Sequence, residues 1–140
     1  MLNAAKWGRV EFVSFLLRQA AVLVNERDLD GNTALIWAVR NKYADVVALL
    51  LDAKTADANL TNNNGQTALS FAMINKDAPA IHTLSAVPNI NLDLRTEDGC
   101  TPLIVSARFG NLIPFDFSFL CLCNDSPLDY TAVEPGTWRV

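Results

Sequence analysis

Histidine is almost missing from this chain: His82 is the one copy, and cysteine is scarce at three. His82 stands between Ile81 and Thr83, with no carboxylate or thiol beside it to orient a base or complete a metal site. It reads as a surface or packing residue on a helix. Cys100, Cys121 and Cys123 are an odd set without CxxC spacing, and the last two stand too close for ordinary zinc ligation. They read as buried or half-buried thiols in a reducing compartment, not as a disulfide framework. Neither GxGxxG nor GxxxxGK occurs, so no glycine loop is present to cradle phosphate. The sequence offers no catalytic residue, no metal site and no cofactor site.

Basic charge is also in short supply. Eleven Lys and Arg against fifteen Asp and Glu give a net charge of −4, and no basic cluster exists. Nucleic acid is therefore not the expected partner, since its binders concentrate positive charge on one face. Long apolar runs are missing too. The longest, Leu112 to Cys123, is interrupted by Pro114 and Asp116. It falls short of the roughly twenty residues that cross a bilayer. Met1 to Arg9 contains no apolar signal core. These absences point to a protein inside the cell, cytoplasmic with the nucleus left open, and not inserted in a membrane. At 140 residues and 51% apolar composition, the chain has the makings of one folded domain.

What the sequence has is repetition. Gly31-Asn32-Thr33-Ala34-Leu35, Gly65-Gln66-Thr67-Ala68-Leu69 and Gly99-Cys100-Thr101-Pro102-Leu103 recur every 34 residues, each followed by a small residue, Ala38, Ala72 or Ser106. Such a period marks a solenoid whose units bury their apolar faces against one another. Each Gly suits a turn with positive φ, and each Thr is placed to cap a starting helix. Pro102 falls at a first helical position, where its missing N–H costs nothing. Leu35 and Ala38, with their counterparts, mark the buried side of that helix. Val46, Val47, Leu49, Leu50 and Leu51 follow with the spacing of a second helix, and Lys54 to Asn62 form a polar connection.

This pattern resembles the ankyrin repeat. Asp28, Gly31, Thr33, Leu35, Ala38, Val46, Val47, Leu49, Leu50, Ala56, Asp57 and Asn59 match the family's positions. The resemblance covers residues 1 to 111. It implies an all-α solenoid of paired antiparallel helices with β-hairpin-like fingers, and a non-enzymatic module that binds another protein. The register divides the chain into a partial first repeat (1–27), repeats at 28–61 and 62–95, a repeat with a degenerate second helix (96–122), and a cap or irregular tail (123–140). The partial repeat is recovered from Ala4, Ala5 and Gly8, then Phe12, Val13, Phe15, Leu16 and Leu17. It lacks the turn and capping Thr of the others. Poorly capped ends leave weak self-association open. Either an unusual cap starts the domain or the chain is part of a longer solenoid; the alternative function is that of a fragment of a larger protein, an enzyme or channel that the repeats only target or regulate.

The sequence also departs from the family. The His that follows Leu there is Ile36, Ser70 and Ile104 here, so its bonding role is absent. The third repeat's second helix, Ala80, Ile81, Thr83, Leu84 and Ser85 with Pro79 in its first turn, is the softest expected interface. After Asn111 the register breaks, and Leu112 to Leu120 suits a strand almost as well as a helix. Ser126 to Ala132 resembles a helix start 25 residues after Thr101, so a degenerate cap and an unrelated tail both remain open.

The family's binding surface is its concave side, made of finger tips and the exposed ends of first helices. On matching positions it comprises Lys6, Trp7, Leu29, Asp30, Asn32, Arg40, Asn41, Asn63, Asn64, Gln66, Ile74, Asn75, Glu97, Asp98, Cys100, Arg108 and Phe109. Trp7, Leu29, Ile74 and Phe109 are apolar where solvent is expected, and Trp and Arg are frequent interface hot spots. Trp7 and Phe109 have the alternative of covering gaps at the ends of the stack. Asp28, Asp30, Glu97 and Asp98 lie in recurring turns and serve backbone bonding there. Asn25 and Asn59 take the finger position that the family uses structurally and that intracellular oxygenases sometimes hydroxylate; the structural role is expected here.

Overall fold

The computed structural model describes residues 1–19 and 22–108, with the backbone alone at Leu103, Ser106 and Arg108. Among the described residues there are seven helices: α1 (Leu2–Lys6), α2 (Val10–Leu17), α3 (Ala34–Arg40), α4 (Ala44–Asp52), α5 (Ala68–Ile74), α6 (Ala78–Ser85) and α7 (Pro102–Arg108). No strand forms among the described residues. The expectations for the sequence after Arg108, including the degenerate helix, the cap and the pair Cys121 and Cys123, lie outside them.

Of the first helices, α3, α5 and α7 begin at a threonine, as the repeat predicts, while α1 starts after Met1 without a side-chain cap. The Thr33 hydroxyl accepts from the Ile36 N–H at 3.3 Å, Thr67 from Ser70 at 3.2 Å, and Thr101 from Ile104 at 3.4 Å. At Thr67 the cap is reciprocal, because the Ser70 hydroxyl accepts from the Thr67 N–H at 3.4 Å. Pro79 sits in the first turn of α6, and Asp77 caps it by accepting from the Ala80 N–H.

The helices stack in two rows. α1, α3, α5 and α7 pack in succession, α2, α4 and α6 form the second row, and each pair closes on itself. Ala38 and Ala72 are wholly buried, as are Val46, Leu50 and Leu84. One core runs through the stack from Ala4 to Leu84. Small residues in the first row let α3 and α5 approach, and the larger aliphatics of α4 and α6 fill the space behind them. Across the first pair the apolar set divides: Val13 is buried, whereas Phe12 and Phe15 are 52% and 56% exposed and stack on each other.

Between helices, the fingers close as tight turns in register. Asp28, Asn62 and Thr96 each donate their N–H to the carbonyl four residues on, at Asn32, Gln66 and Cys100. Fingers then join fingers: the Asn63 N–H donates to the Asp30 carbonyl, and the Glu97 N–H to that of Asn64, both at 3.0 Å. This approach explains two glycines. At Gly65 (φ +71°) an added Cβ would lie 2.8 Å from the Arg95 carbonyl oxygen, and at Gly31 (φ +79°) it would meet the backbone of Asn63 at 2.7 Å. The turn between paired helices is less well served, for Lys42 and Lys76 take positive φ where Gly8 stands in the first pair.

A second ladder ties the loops on the far side. The Asn25 amide donates to the Thr55 carbonyl and its oxygen accepts from the Asp57 N–H, each at 2.9 Å. Asn59 repeats the clasp on Asn89 and Asn91 at 3.0 and 2.7 Å. Both asparagines therefore have the structural role expected of them.

Replacing Lys42 or Lys76 by Gly removes a side chain from a left-handed position. Each change is expected to stabilise the fold by up to about 1 kcal/mol in urea unfolding. Asn59→Ala, which breaks two inter-repeat bonds, is expected to destabilise it by about 1–3 kcal/mol. Asn59→Asp should cost a similar amount, since the carboxylate keeps the acceptor but sets an oxygen against the Asn89 carbonyl.

Candidate partner-binding surface

Finger tips and first helices share one side of the stack, because each finger leads directly into the helix it caps. Asp28 joins the two. Its Oδ1 accepts from the N–H groups of Asp30 and Asn32 at 3.0 and 2.8 Å. Its Oδ2 accepts from the Trp37 indole Nε1–H at 2.7 Å and from the Asn32 amide at 3.4 Å. Burial pushes the Asp28 carboxyl up, but these donors outweigh it and hold the pKa below the ordinary 3.8. The finger carboxylate thus fixes a large aromatic side chain on the face of α3.

That aromatic carries cations. The Lys6 Nζ lies 4.4 Å from the Trp37 ring centroid, and the Arg40 guanidinium carbon lies 5.0 Å from it. Arg40 also lies 5.7 Å from the Phe71 ring. Lysine, tryptophan, arginine and phenylalanine thus form a row across α1, α3 and α5. Sequence reasoning placed Lys6 and Arg40 on this face and missed Trp37 and Phe71. Their signal was present: they stand 34 residues apart, each three positions from the exposed end of its helix.

The other expected residues divide by what holds them. Leu29 is 99% exposed at its finger tip and Trp7 is 67% exposed at the end of α1. Asp30, Arg40, Asn41, Asn63, Asn64, Glu97 and Asp98 are exposed as well, while Lys6, Gln66, Ile74, Asn75 and Cys100 are half-buried. Asn32 is a correction. At 1% exposure it does not face solvent, because its side chain turns inward, donating to Asp28 and accepting from the Asn62 amide at 3.1 Å.

Three more asparagines are tied to the preceding unit. The Asn41 amide donates to the Lys6 carbonyl at 2.9 Å, Asn63 to that of Leu29 at 2.9 Å, and Asn75 to that of Arg40 at 3.1 Å. The Gln66 side-chain oxygen accepts from Asn62. The Arg108 side chain and all of Phe109 lie outside the described residues. His82 is exposed on α6, in the other row. Among the described residues no three His, Cys, Asp or Glu side chains converge to hold a metal, and no helix is long and apolar enough to cross a membrane.

A helical repeat stack in which α3, α5 and α7 each follow a finger and start at a threonine cap defines the class of protein. Comparison with known proteins gives the family. Residues 1–62 match the family described as ankyrin repeats (three copies). The chain is 40% identical over 98 residues to human neurogenic locus notch homolog protein 1, an alignment covering 70% of this chain and 4% of that protein. It is likewise 40% identical over 100 residues to the neurogenic locus Notch protein of Drosophila melanogaster, covering 71% of this chain and again 4% of the relative. The Xenopus laevis notch homolog 1 is 38% identical over 98 residues. This chain belongs to the ankyrin-repeat family, and it spans about 4% of the length of these curated relatives.

The Asp28 network sets a pH dependence. A carboxylate whose folded pKa is depressed stabilises the fold above its unfolded pKa and loses that contribution as pH falls through the folded value. Thermal melts between about pH 6 and pH 2 should show stability falling in the wild type, and a shallower fall in Asp28→Asn, which starts from a lower Tm because its single amide oxygen cannot serve both the backbone amides and Trp37.

Proposed function

We propose that this chain is a non-enzymatic interaction module that holds a partner protein on its concave face, with the fingers and first helices as the contact surface. Leu29 carries the reading: an aliphatic side chain, 99% exposed at a finger tip, has no role in the packing of the stack. Trp7, Asp30, Arg40, Asn64, Glu97 and Asp98 make up the exposed part of the surface with it, Lys6 is half-buried among them, and Arg108 and Phe109 continue it by register. Asn41, Asn63 and Asn75 act chiefly to hold this surface in shape. Among the described residues every buried side-chain polar atom has a hydrogen-bond partner. The face is therefore set before a partner arrives, and docking loses little conformational entropy. The units at 28–61 and 62–95 are its working repeats, with partial units on either side, and its setting is the inside of the cell.

A second reading is favoured by the length comparison. The chain matches about 4% of each large relative, as an ankyrin segment would if it targeted or regulated a longer protein. In that reading the same face does the binding, and any other activity belongs to the rest of that protein.

Immobilised chain should retain a defined protein from cell lysate. Leu29→Ser combined with Trp7→Ser and Asn64→Ala is expected to abolish that capture at unchanged helical circular dichroism, whereas His82→Ala on the opposite row leaves it intact. Capture that survives the triple change would refute the assignment of the face.

A further inference from the structure

Among the described residues, Lys6 and Arg40 meet no counter-ion. Both lie over the Trp37 ring, and among the described residues neither forms an ion pair. Asp28, the carboxylate that bonds the same indole, has both oxygens engaged by Trp37, Asn32 and Asp30. It is not available to neutralise them. A guanidinium resting on a ring keeps its N–H edge free, and that edge suits bidentate pairing with a carboxylate. The surroundings sharpen the contrast: the chain as a whole is acidic, at net −4, and the exposed finger tips bear Asp30, Glu97 and Asp98. Positive charge on this side is gathered along the helix row, and negative charge along the fingers.

We propose that the Lys6–Trp37–Arg40–Phe71 row docks an acidic peptide segment of the partner, with carboxylates on Lys6 and Arg40 and an aliphatic residue against the exposed Trp7 ring. This rests on the reading of the face as a partner surface and adds its chemistry. Two cations sharing one indole lie within reach of carboxylates at alternate positions of an extended strand, which are about 7 Å apart. The acidic fingers repel the same segment, so it runs along the helices. A basic segment would meet the opposite field and is disfavoured on the row.

The test titrates the 15N-labelled chain with a blocked Glu-Leu-Glu-Glu-Leu-Glu peptide. The same peptide with Lys, or with Gln, in place of every Glu provides the controls. The acidic peptide is expected to shift the Trp37 indole N–H and the Arg40 Nε–H resonances, with at least a fivefold loss of affinity between 50 and 300 mM NaCl. Lys6→Gln with Arg40→Gln should weaken binding at least tenfold, and Arg40→Lys should weaken it less than Arg40→Gln. Equal binding of the basic peptide, or affinity unchanged in the double variant, overturns the proposal.

If no peptide shifts these resonances while the Leu29, Trp7 and Asn64 variant still loses its captured protein, the acidic-segment inference falls and the proposed function stands. If capture also ignores that variant, both fall.

Discussion

From the second finger onward, each unit of this stack is held to the one before by a backbone amide that leaves its own finger. The Asn63 N–H reaches the Asp30 carbonyl and the Glu97 N–H reaches that of Asn64. These bonds fix the rise and register of successive fingers, and the rest follows from that spacing. Gly31 and Gly65 are glycine because a neighbouring finger lies where a side chain would be. The threonine caps start the first helices at the same height in each unit, so Ala38 and Ala72 meet their neighbours in one plane. Asn25 and Asn59 then close the opposite edge with two bonds each.

The same polar framework shapes the exposed face. Asp28 is a turn residue by position, yet its second oxygen orients Trp37, and Trp37 in turn underlies Lys6 and Arg40. Folding and surface chemistry are thus coupled through a single carboxylate. An aromatic fixed by a hydrogen bond presents a steadier platform than one held by contact alone, and cations above it lose fewer conformations when a partner docks.

Much of this was legible in the sequence. A 34-residue period gives the solenoid, Gly and Thr mark where turn ends and helix begins, and the Val and Leu spacing gives the second helix. Side-chain direction was not legible at the finger tips. Asn32 occupies a tip position and was expected in solvent, but its amide finds Asp28 and Asn62 inside, and no local pattern distinguishes the two outcomes. Asn41, Asn63 and Asn75 looked like available donors; their amides serve carbonyls of the preceding unit, partners 34 or 35 residues away. Trp37 and Phe71 were overlooked. Their 34-residue spacing says that they recur, and the placement of Lys6 over Trp37 and of Arg40 over both rings shows that they furnish a surface.

The asparagine clasps run in opposite directions on the two edges. Asn25 and Asn59 reach forward to the next unit, while Asn41, Asn63 and Asn75 reach back to the one before. The first two junctions are therefore latched from both sides, like a strap buckled at each end. Pulled along its length, each of these two junctions would part only once both latches had opened. The chain would then lengthen in jumps of one unit, each releasing on the order of 110 Å of extended backbone.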